Sequence, residues 1–226
     1  MVLGWVILEL TDSPFMVGVA MAIRHAPGFF LGIAAGTFAD LVDRLKLLRS
    51  LAVLSGLVAL IIGLLLSSER IQLWQLLIVP AVAGTISMMG MTTRQSFVFD
   101  LVGHQNGLNG MSFLGVAMRG GGMIGALTVG LALSKLGPGA GYFVISGVHF
   151  VSFAVFVLIR SRGTSAPSGT ANMLTGLSEF WRELRGNGTL SGLVVIVALV
   201  EFFGFTSQAL MPSLARDVWD LGPGGL

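Results

Sequence analysis

The feature that most constrains this chain is a succession of apolar runs, each about 20 residues long and separated by short polar stretches. A run of about that length is what a helix needs to cross the hydrocarbon core of a bilayer. Only 11% of the residues are charged, less than half of the roughly 25% typical of soluble domains. So few charges cannot cover a surface that faces water. The sequence therefore predicts an all-α integral membrane protein, with the lipid bilayer as its surroundings.

Six runs have full spanning length, and a run of half that length precedes them. The short run covers residues 1–10, and the long runs cover residues 15–39, 45–66, 73–98, 108–133, 140–159 and 191–211. Most connections are short, which predicts that consecutive helices pack as antiparallel neighbours.

The one long connection begins with a stretch rich in Ser, Gly and Pro at residues 163–170, a composition typical of a flexible linker. Behind it, Leu177, Trp181 and Leu184 lie on one face of a predicted short amphipathic helix on the membrane surface, with an irregular loop as the alternative. The predicted organisation is an N-terminal transmembrane bundle with a clipped first helix (1–161), a linker with that amphipathic helix (162–190), and the truncated first helix of a C-terminal bundle (191–226).

Basic residues alternate between the connections, and their distribution predicts the orientation of the chain. Eight lie on one side and only Arg70 and Lys135 on the other; the eight are Arg44, Lys46, Arg49, Arg94, Arg160, Arg162, Arg182 and Arg185. The positive-inside rule then predicts a multi-pass protein of the cell (inner) membrane whose linker 162–190 is cytoplasmic.

Several classes of chemistry are excluded by what the sequence lacks. It has no Cys, and its three His lie far apart with no metal-ligand spacing. Neither His-Glu-x-x-His nor Gly-x-Ser-x-Gly occurs, so nothing indicates an enzyme. We expect no metal, no cofactor and no nucleic-acid partner, because the basic residues sit in short connections between spans.

Glycines recur at helical spacing in two of the predicted spans. Gly28, Gly32 and Gly36 follow one another at intervals of four, and Gly121 and Gly125 repeat that interval further on. Small residues at this spacing let helix backbones approach closely in lipid. We interpret both sets as packing surfaces, with a ligand role as the weaker alternative.

Three charged residues fall inside predicted spans, where a charge is costly and is a candidate functional group. They are Arg24, Arg119 and Glu201. We interpret Arg24 as paired with a neighbouring helix, with substrate contact as the alternative. Arg119 and Glu201 can pair with each other or line a substrate or proton path, and these two readings stay open.

The connection after the second run combines acids with a basic cluster. Asp40 and Asp43 are followed closely by Arg44, Lys46 and Arg49. Asp40 and Arg44 are placed to make a charge-assisted contact between helix ends, which can hold one conformation and break in another. Positive-inside topology alone explains the cations but not the acids.

This connection resembles the signature of the major facilitator superfamily, in which Gly, Asp and Arg stand four residues apart. Gly36, Asp40 and Arg44 match it, whereas Leu41 occupies a position that is usually Arg. Further stretches are similar to the branch of enterobactin exporters and macrolide-efflux-like proteins. They are Glu9-Leu10-Thr11-Asp12-Ser13-Pro14, Arg94-Gln95, Asp100-Leu101-Val102, Asn109 and Met211-Pro212-Ser213-Leu214-Ala215-Arg216-Asp217-Val218.

The resemblance implies a secondary transporter that exports a small amphiphilic molecule, a drug or a siderophore, by alternating access. Proton coupling stays open, since Gly122 is followed by Met123 and not by the Pro that drug antiporters of this superfamily carry. The family has twelve spans, so we expect the partner of this chain to be a missing C-terminal half. The alternative is a truncated, transport-inactive membrane protein that only assembles with or regulates partners.

Overall fold

The computed structural model describes residues 2–68, 71–159 and 181–218, with side chains described except at 2, 29–41, 104, 202 and 205–209. Every element in these ranges is helical. The helices are α1 (Val2–Thr11), α2 (Pro14–Leu41), α3 (Arg44–Ser67), α4 (Leu73–Val102), α5 (Gly107–Leu136), α6 (Pro138–Leu158) and α7 (Gly188–Ser213). A 3₁₀ turn at His104–Asn106 precedes α5, and a π-helical turn at Leu214–Val218 follows α7.

Four helices in the described part of the chain, α3 to α6, are long and apolar enough to cross a membrane. The flanking helices α2 and α7 have 28 and 26 residues, so they also have spanning length. Helix α1 has 10 residues, which corresponds to about 15 Å, half of a bilayer core. The predicted all-α membrane fold is confirmed, and each helix end lies within a few residues of its predicted position.

Two helix pairs form the centre of the bundle, α3 with α6 and α2 with α4. Glycines sit at both crossings. A Cβ on Gly63 of α3 would lie 2.8 Å from the Phe143 ring of α6, and a Cβ on Gly84 of α4 would overlap the Arg24 carbonyl oxygen of α2. Without side chains at these points the helices approach closely, which increases dispersion contacts in lipid.

Helix α1 is held by the most completely buried apolar cluster of the described residues. Ile7 and Leu8 of α1 pack with Val17 of α2 and Leu76 of α4, all of them fully buried. Helix α7 then packs against α1 and α2. A Cβ on Gly4 of α1 would lie 3.1 Å from Cγ of Pro212, which marks the close approach of α1 and α7.

Turn residues end the helices where the sequence requires it. Gly103 after α4 and Gly137 after α5 have φ values of 74° and 88°, which favour glycine because it lacks a Cβ. Pro138 then opens α6 at the first helical position, where a missing N–H costs nothing.

The linker is described only at its C-terminal end. Residues 181–186 are helical, and the Arg185 guanidinium lies 5.5 Å from the centre of the Trp181 ring. The remainder of the predicted amphipathic helix and the Ser/Gly/Pro stretch lie outside the described residues, so the division into 1–161, 162–190 and 191–226 stays a prediction.

Candidate functional site

An ion pair joins the start of α3 to the last turns of α4. Nη1 of Arg44 lies 2.6 Å from Oδ1 of Asp100, and the two side chains are only 14% and 13% exposed. Asp40 lies in α2, but its side chain is outside the described part of the chain, so the predicted Asp40–Arg44 contact stays a prediction. We call the end of the bundle that carries this pair the Arg44 end.

Asp43 caps α3 at the same end of the bundle. Its carboxylate accepts hydrogen bonds from the backbone N–H groups of Leu45 and Lys46, at 3.0 and 3.1 Å. These groups have no partner within the helix, so a side-chain acceptor at the cap stabilises the first turn.

Replacing Asp43 with alanine is expected to lower the free energy of unfolding by about 1 kcal/mol, because it removes the acceptor for both N–H groups. Serine at this position keeps a capping oxygen and should recover most of the loss. Thermal unfolding of the detergent-solubilised chain measures both variants. If D43A and D43S were equally stable, that result would contradict a stabilising role of the cap at residue 43.

Arg49 connects α3 to the end of α6. Its Nε and Nη2 donate to the Phe156 carbonyl at 3.0 and 2.9 Å, and Nη2 also donates to the Ile159 carbonyl at 3.0 Å. Lys46 is exposed. Of the predicted latch residues that the structure describes, Arg44 therefore joins α3 to α4 and Arg49 joins α3 to α6. Gly36 lies in α2, and its surroundings are not described. Their role as a latch stays a prediction.

A second charged cluster occupies the opposite end of the bundle, which we call the Asp12 end. Arg216, in the π-helical turn after α7, donates from Nη2 to Asp12 at 2.7 Å and from Nε to Asp217 at 2.6 Å. Its Nη1 donates to the Leu8 carbonyl at 3.2 Å. The hydrogen bond with Asp217, and then that with Asp12, raise the pKa of Arg216, so this guanidinium stays charged.

The backbone conformation of Asp12 positions its carboxylate for this contact. Its φ of 48° lies in the left-handed region, which Asp tolerates better than most residues and which ends α1. The carboxylate thus sits between α1 and α2, where the turn after α7 brings Arg216. The contact joins residues more than 200 positions apart in sequence.

A cavity with a volume of about 560 Å³ lies among α2, α3, α4 and α6, and Leu3 of α1 also lines it. Arg24 of α2 lines it together with Arg94 of α4 and His149 of α6. Arg24 is half-buried and has no hydrogen bond or ion pair to any residue that the structure describes.

The other two charges predicted in spans lie elsewhere. Arg119 of α5 and Glu201 of α7 are both exposed on their helices. No ion pair joins them in the described structure. Their predicted part in a substrate or proton path stays a prediction.

The predicted packing glycines differ from those at the helix crossings. A Cβ on Gly28 would meet only Sδ of Met88 at 3.8 Å, an ordinary contact, and a Cβ on Gly121 or Gly125 would meet nothing within 4 Å. Gly32 lies where side-chain surroundings are not described. Packing by these glycines stays a prediction, whereas Gly84 and Gly63 make the closest interhelical approaches described above.

Sequence reasoning missed three elements of this arrangement. It did not pair Arg44 with Asp100 or Arg216 with Asp12, and it did not place His149 in a cavity, although His149 lines one. One available signal was charge complementarity, since Asp12 after the first helix and Arg216 after the seventh fall on the same side of the predicted topology.

Comparison with protein families shows which family has this architecture. The family profile of the Major Facilitator Superfamily matches residues 1–224. No curated protein and no solved structure matches the chain significantly. The match and the helices of spanning length agree on a multi-pass membrane protein of a transporter family, not an enzyme family. The chain belongs to the major facilitator superfamily of secondary transporters.

Proposed function

We propose that the protein exports a small amphiphilic molecule, of the drug or siderophore type, by alternating access. In this mechanism the helices before the linker and those after it rock about a central site and open it to one side of the membrane at a time. The Arg44 end and the linker 162–190 lie in the cytoplasm of a bacterial cell, and the Asp12 end lies outside. A C-terminal half beyond α7 completes the substrate path, and proton coupling is one energy source to test.

The observation that carries the proposal is the contact of Arg216 with Asp12. Arg216 follows α7, whereas Asp12 and Leu8 belong to the N-terminal bundle, so the contact bridges the two parts that must separate during transport. Because the Asp12 side chain is 85% exposed, the contact is screened by salt and can break without large cost. A contact that holds one end closed and breaks readily suits a gate.

Removing the charge of Asp12 is expected to separate the turn after α7 from α1. D12N keeps the size and the left-handed tolerance of the residue but weakens the attraction to Arg216. The chain has no Cys, so spin labels at L10C and V218C, both exposed positions, report the distance across this contact without background. We expect D12N to shift the distance distribution to larger values, as high salt should in the parent chain.

The control is K135Q, which removes a charge from the last turn of α5 without touching Arg216. The double variant D12R/R216D restores opposite charges and should shorten the distance again. An unchanged distance distribution in D12N would show that this contact does not act as a gate.

Transport itself is tested in proteoliposomes that hold the chain together with the C-terminal half that completes the substrate path. Three radiolabelled probes share a naphthalene body and carry a negative, a neutral or a positive substituent: 2-naphthalenesulfonate, 2-naphthalenesulfonamide and (2-naphthylmethyl)trimethylammonium. We expect movement of at least one probe above that in protein-free liposomes, and an imposed pH gradient reveals proton coupling. Failure with all three, together with no response of the gate, would favour the alternative of a transport-inactive membrane protein that assembles with partners.

A further inference from the structure

The cavity of about 560 Å³ among α2, α3, α4 and α6 has an unusual charge for a site at membrane depth. Two guanidinium groups, Arg24 and Arg94, and the imidazole of His149 line it. Among the described residues that line it there is no Asp or Glu. Uncompensated positive charge within a membrane is costly, so such residues are found paired with an opposite charge.

The described acids on the neighbouring helices do not line the cavity. Asp100 of α4 is paired with Arg44 at the Arg44 end of the bundle. Glu201 of α7 is exposed and does not line the cavity, although its charge acts on His25. The described chain therefore leaves the positive charge of this cavity without a protein counterion.

The cavity also has hydrogen-bond donors without acceptors. Neither the Arg24 guanidinium nor the Tyr142 hydroxyl has a hydrogen bond to a described residue, and Tyr142 lines the cavity. Arg94 makes a single hydrogen bond to a described residue, from Nε to the Gly90 carbonyl at 2.9 Å. Its Nη groups therefore have no acceptor among the described residues. Guanidinium groups bind planar oxyanions through paired hydrogen bonds, so the donors select an anionic group.

The remainder of the lining is mixed: most of its side chains are apolar, but Ser55, Ser87 and Ser152 add hydroxyl groups. Leu51, Ile86 and Phe156 are among the side chains that face the cavity. A volume of about 560 Å³ is within the range of pockets that hold drug-sized molecules and exceeds what an inorganic anion fills. Walls that combine apolar side chains with basic groups and a few hydroxyl groups match a ligand with a largely apolar body and one acidic group.

We propose that this cavity binds a small organic anion, with Arg24 and Arg94 as the cations that attract its acidic group, and that such anions are the substrate class of the transporter. The assignment as substrate rests on the proposed transport function, whereas the binding does not. The site lies within the N-terminal bundle, because no described residue of α7 lines it.

The test measures binding to the full chain in nanodiscs of uncharged phosphatidylcholine, which offers no competing anionic lipid. The probes are 2-naphthalenesulfonate and its uncharged isostere 2-naphthalenesulfonamide, compared by titration calorimetry. We expect the sulfonate to bind at least tenfold more tightly. R24Q and R94Q should each weaken sulfonate affinity roughly 10- to 100-fold, because each removes a charge-assisted contact. Sulfonamide affinity should change little.

The matched control is R119Q, which removes a guanidinium that is exposed on α5 and does not line the cavity. Its sulfonate affinity should equal that of the parent chain. Should R24Q fail to fold, R24K keeps the charge and R94Q still removes one donor, so the comparison stands. Equal binding of the two probes, or equal effects of R94Q and R119Q, would overturn the proposal.

Transport and binding separate the two proposals. Arginine-dependent binding of the sulfonate without its movement in proteoliposomes supports the anion site and contradicts the transport function. Movement of the ammonium probe alone, unchanged in R24Q and R94Q, supports transport and overturns the anion site.

Discussion

Alanine at Gly84 is expected to destabilise the protein more than any other single methyl addition considered for this bundle. Its Cβ would overlap the carbonyl oxygen of Arg24, which belongs to the backbone of α2 and cannot rotate away. Helix α2 must therefore shift away from α4. Overpacking of this kind costs about 1–3 kcal/mol or more, which corresponds to a fall of roughly 2–12 °C in the unfolding temperature. Thermal unfolding in detergent measures it.

The matched control for this variant is G122A on α5, where a Cβ would meet nothing within 4 Å. There alanine should be neutral or stabilising, since it favours the helix by up to about 1 kcal/mol over glycine. G28A, with only Sδ of Met88 at 3.8 Å, should also be tolerated. If G84A unfolds at the same temperature as G122A, that result would contradict the close approach of α2 and α4 at Gly84. Because Arg24 moves with α2, G84A should also weaken anion binding.

Asparagine at Asp100 is expected to produce the second large effect, the loss of the partly buried ion pair with Arg44. The 2.6 Å contact is charge-assisted and largely shielded from water, so its removal should cost about 1.5–3 kcal/mol. The unfolding temperature should fall by roughly 3–12 °C. Because asparagine keeps the shape of the side chain, the loss of stability in D100N measures the contribution of the charge. An unchanged unfolding temperature would contradict a stabilising role for the pair.

The charge-swapped double variant R44D/D100R sharpens this test. Arg44 is the first residue of α3 and Asp100 lies in the last turn of α4, so each charge is at the unfavourable end of its helix dipole. The swap restores opposite charges and places each at the favourable end. We expect it to recover most of the stability that D100N loses. Transport that stays low after stability returns would indicate that the original orientation serves conformational change.

Much of the architecture follows from the sequence alone. The length of the apolar runs fixes where helices cross the membrane, because a spanning segment must satisfy every backbone hydrogen bond internally. The predicted runs at residues 45–66 and 73–98 became α3 and α4 with ends within a few residues. The family was indicated by Gly36, Asp40 and Arg44 and is confirmed by the family profile.

Two contacts at helix ends were not predicted from the sequence, although each depends on neighbouring residues. Asp43, directly before the basic start of α3, caps that helix. Asp12, before Ser13 and Pro14, has the left-handed conformation that ends α1. Such contacts involve residues within a few positions of one another, so the local sequence carries the signal for them.

The partners of the charged residues were decided only by the tertiary structure. Arg44 pairs with Asp100 and Arg216 with Asp12 because helix packing brings distant turns together, and nothing local in the sequence encodes which turns meet. Likewise, glycine spacing marked Gly121 and Gly125, whereas the tightest approach of α2 and α4 falls on Gly84. Spacing determines which residues share a helix face, but the crossing point determines which of them faces a backbone. The sequence thus determined the spans and the family, and packing decided which charges meet and which line the cavity.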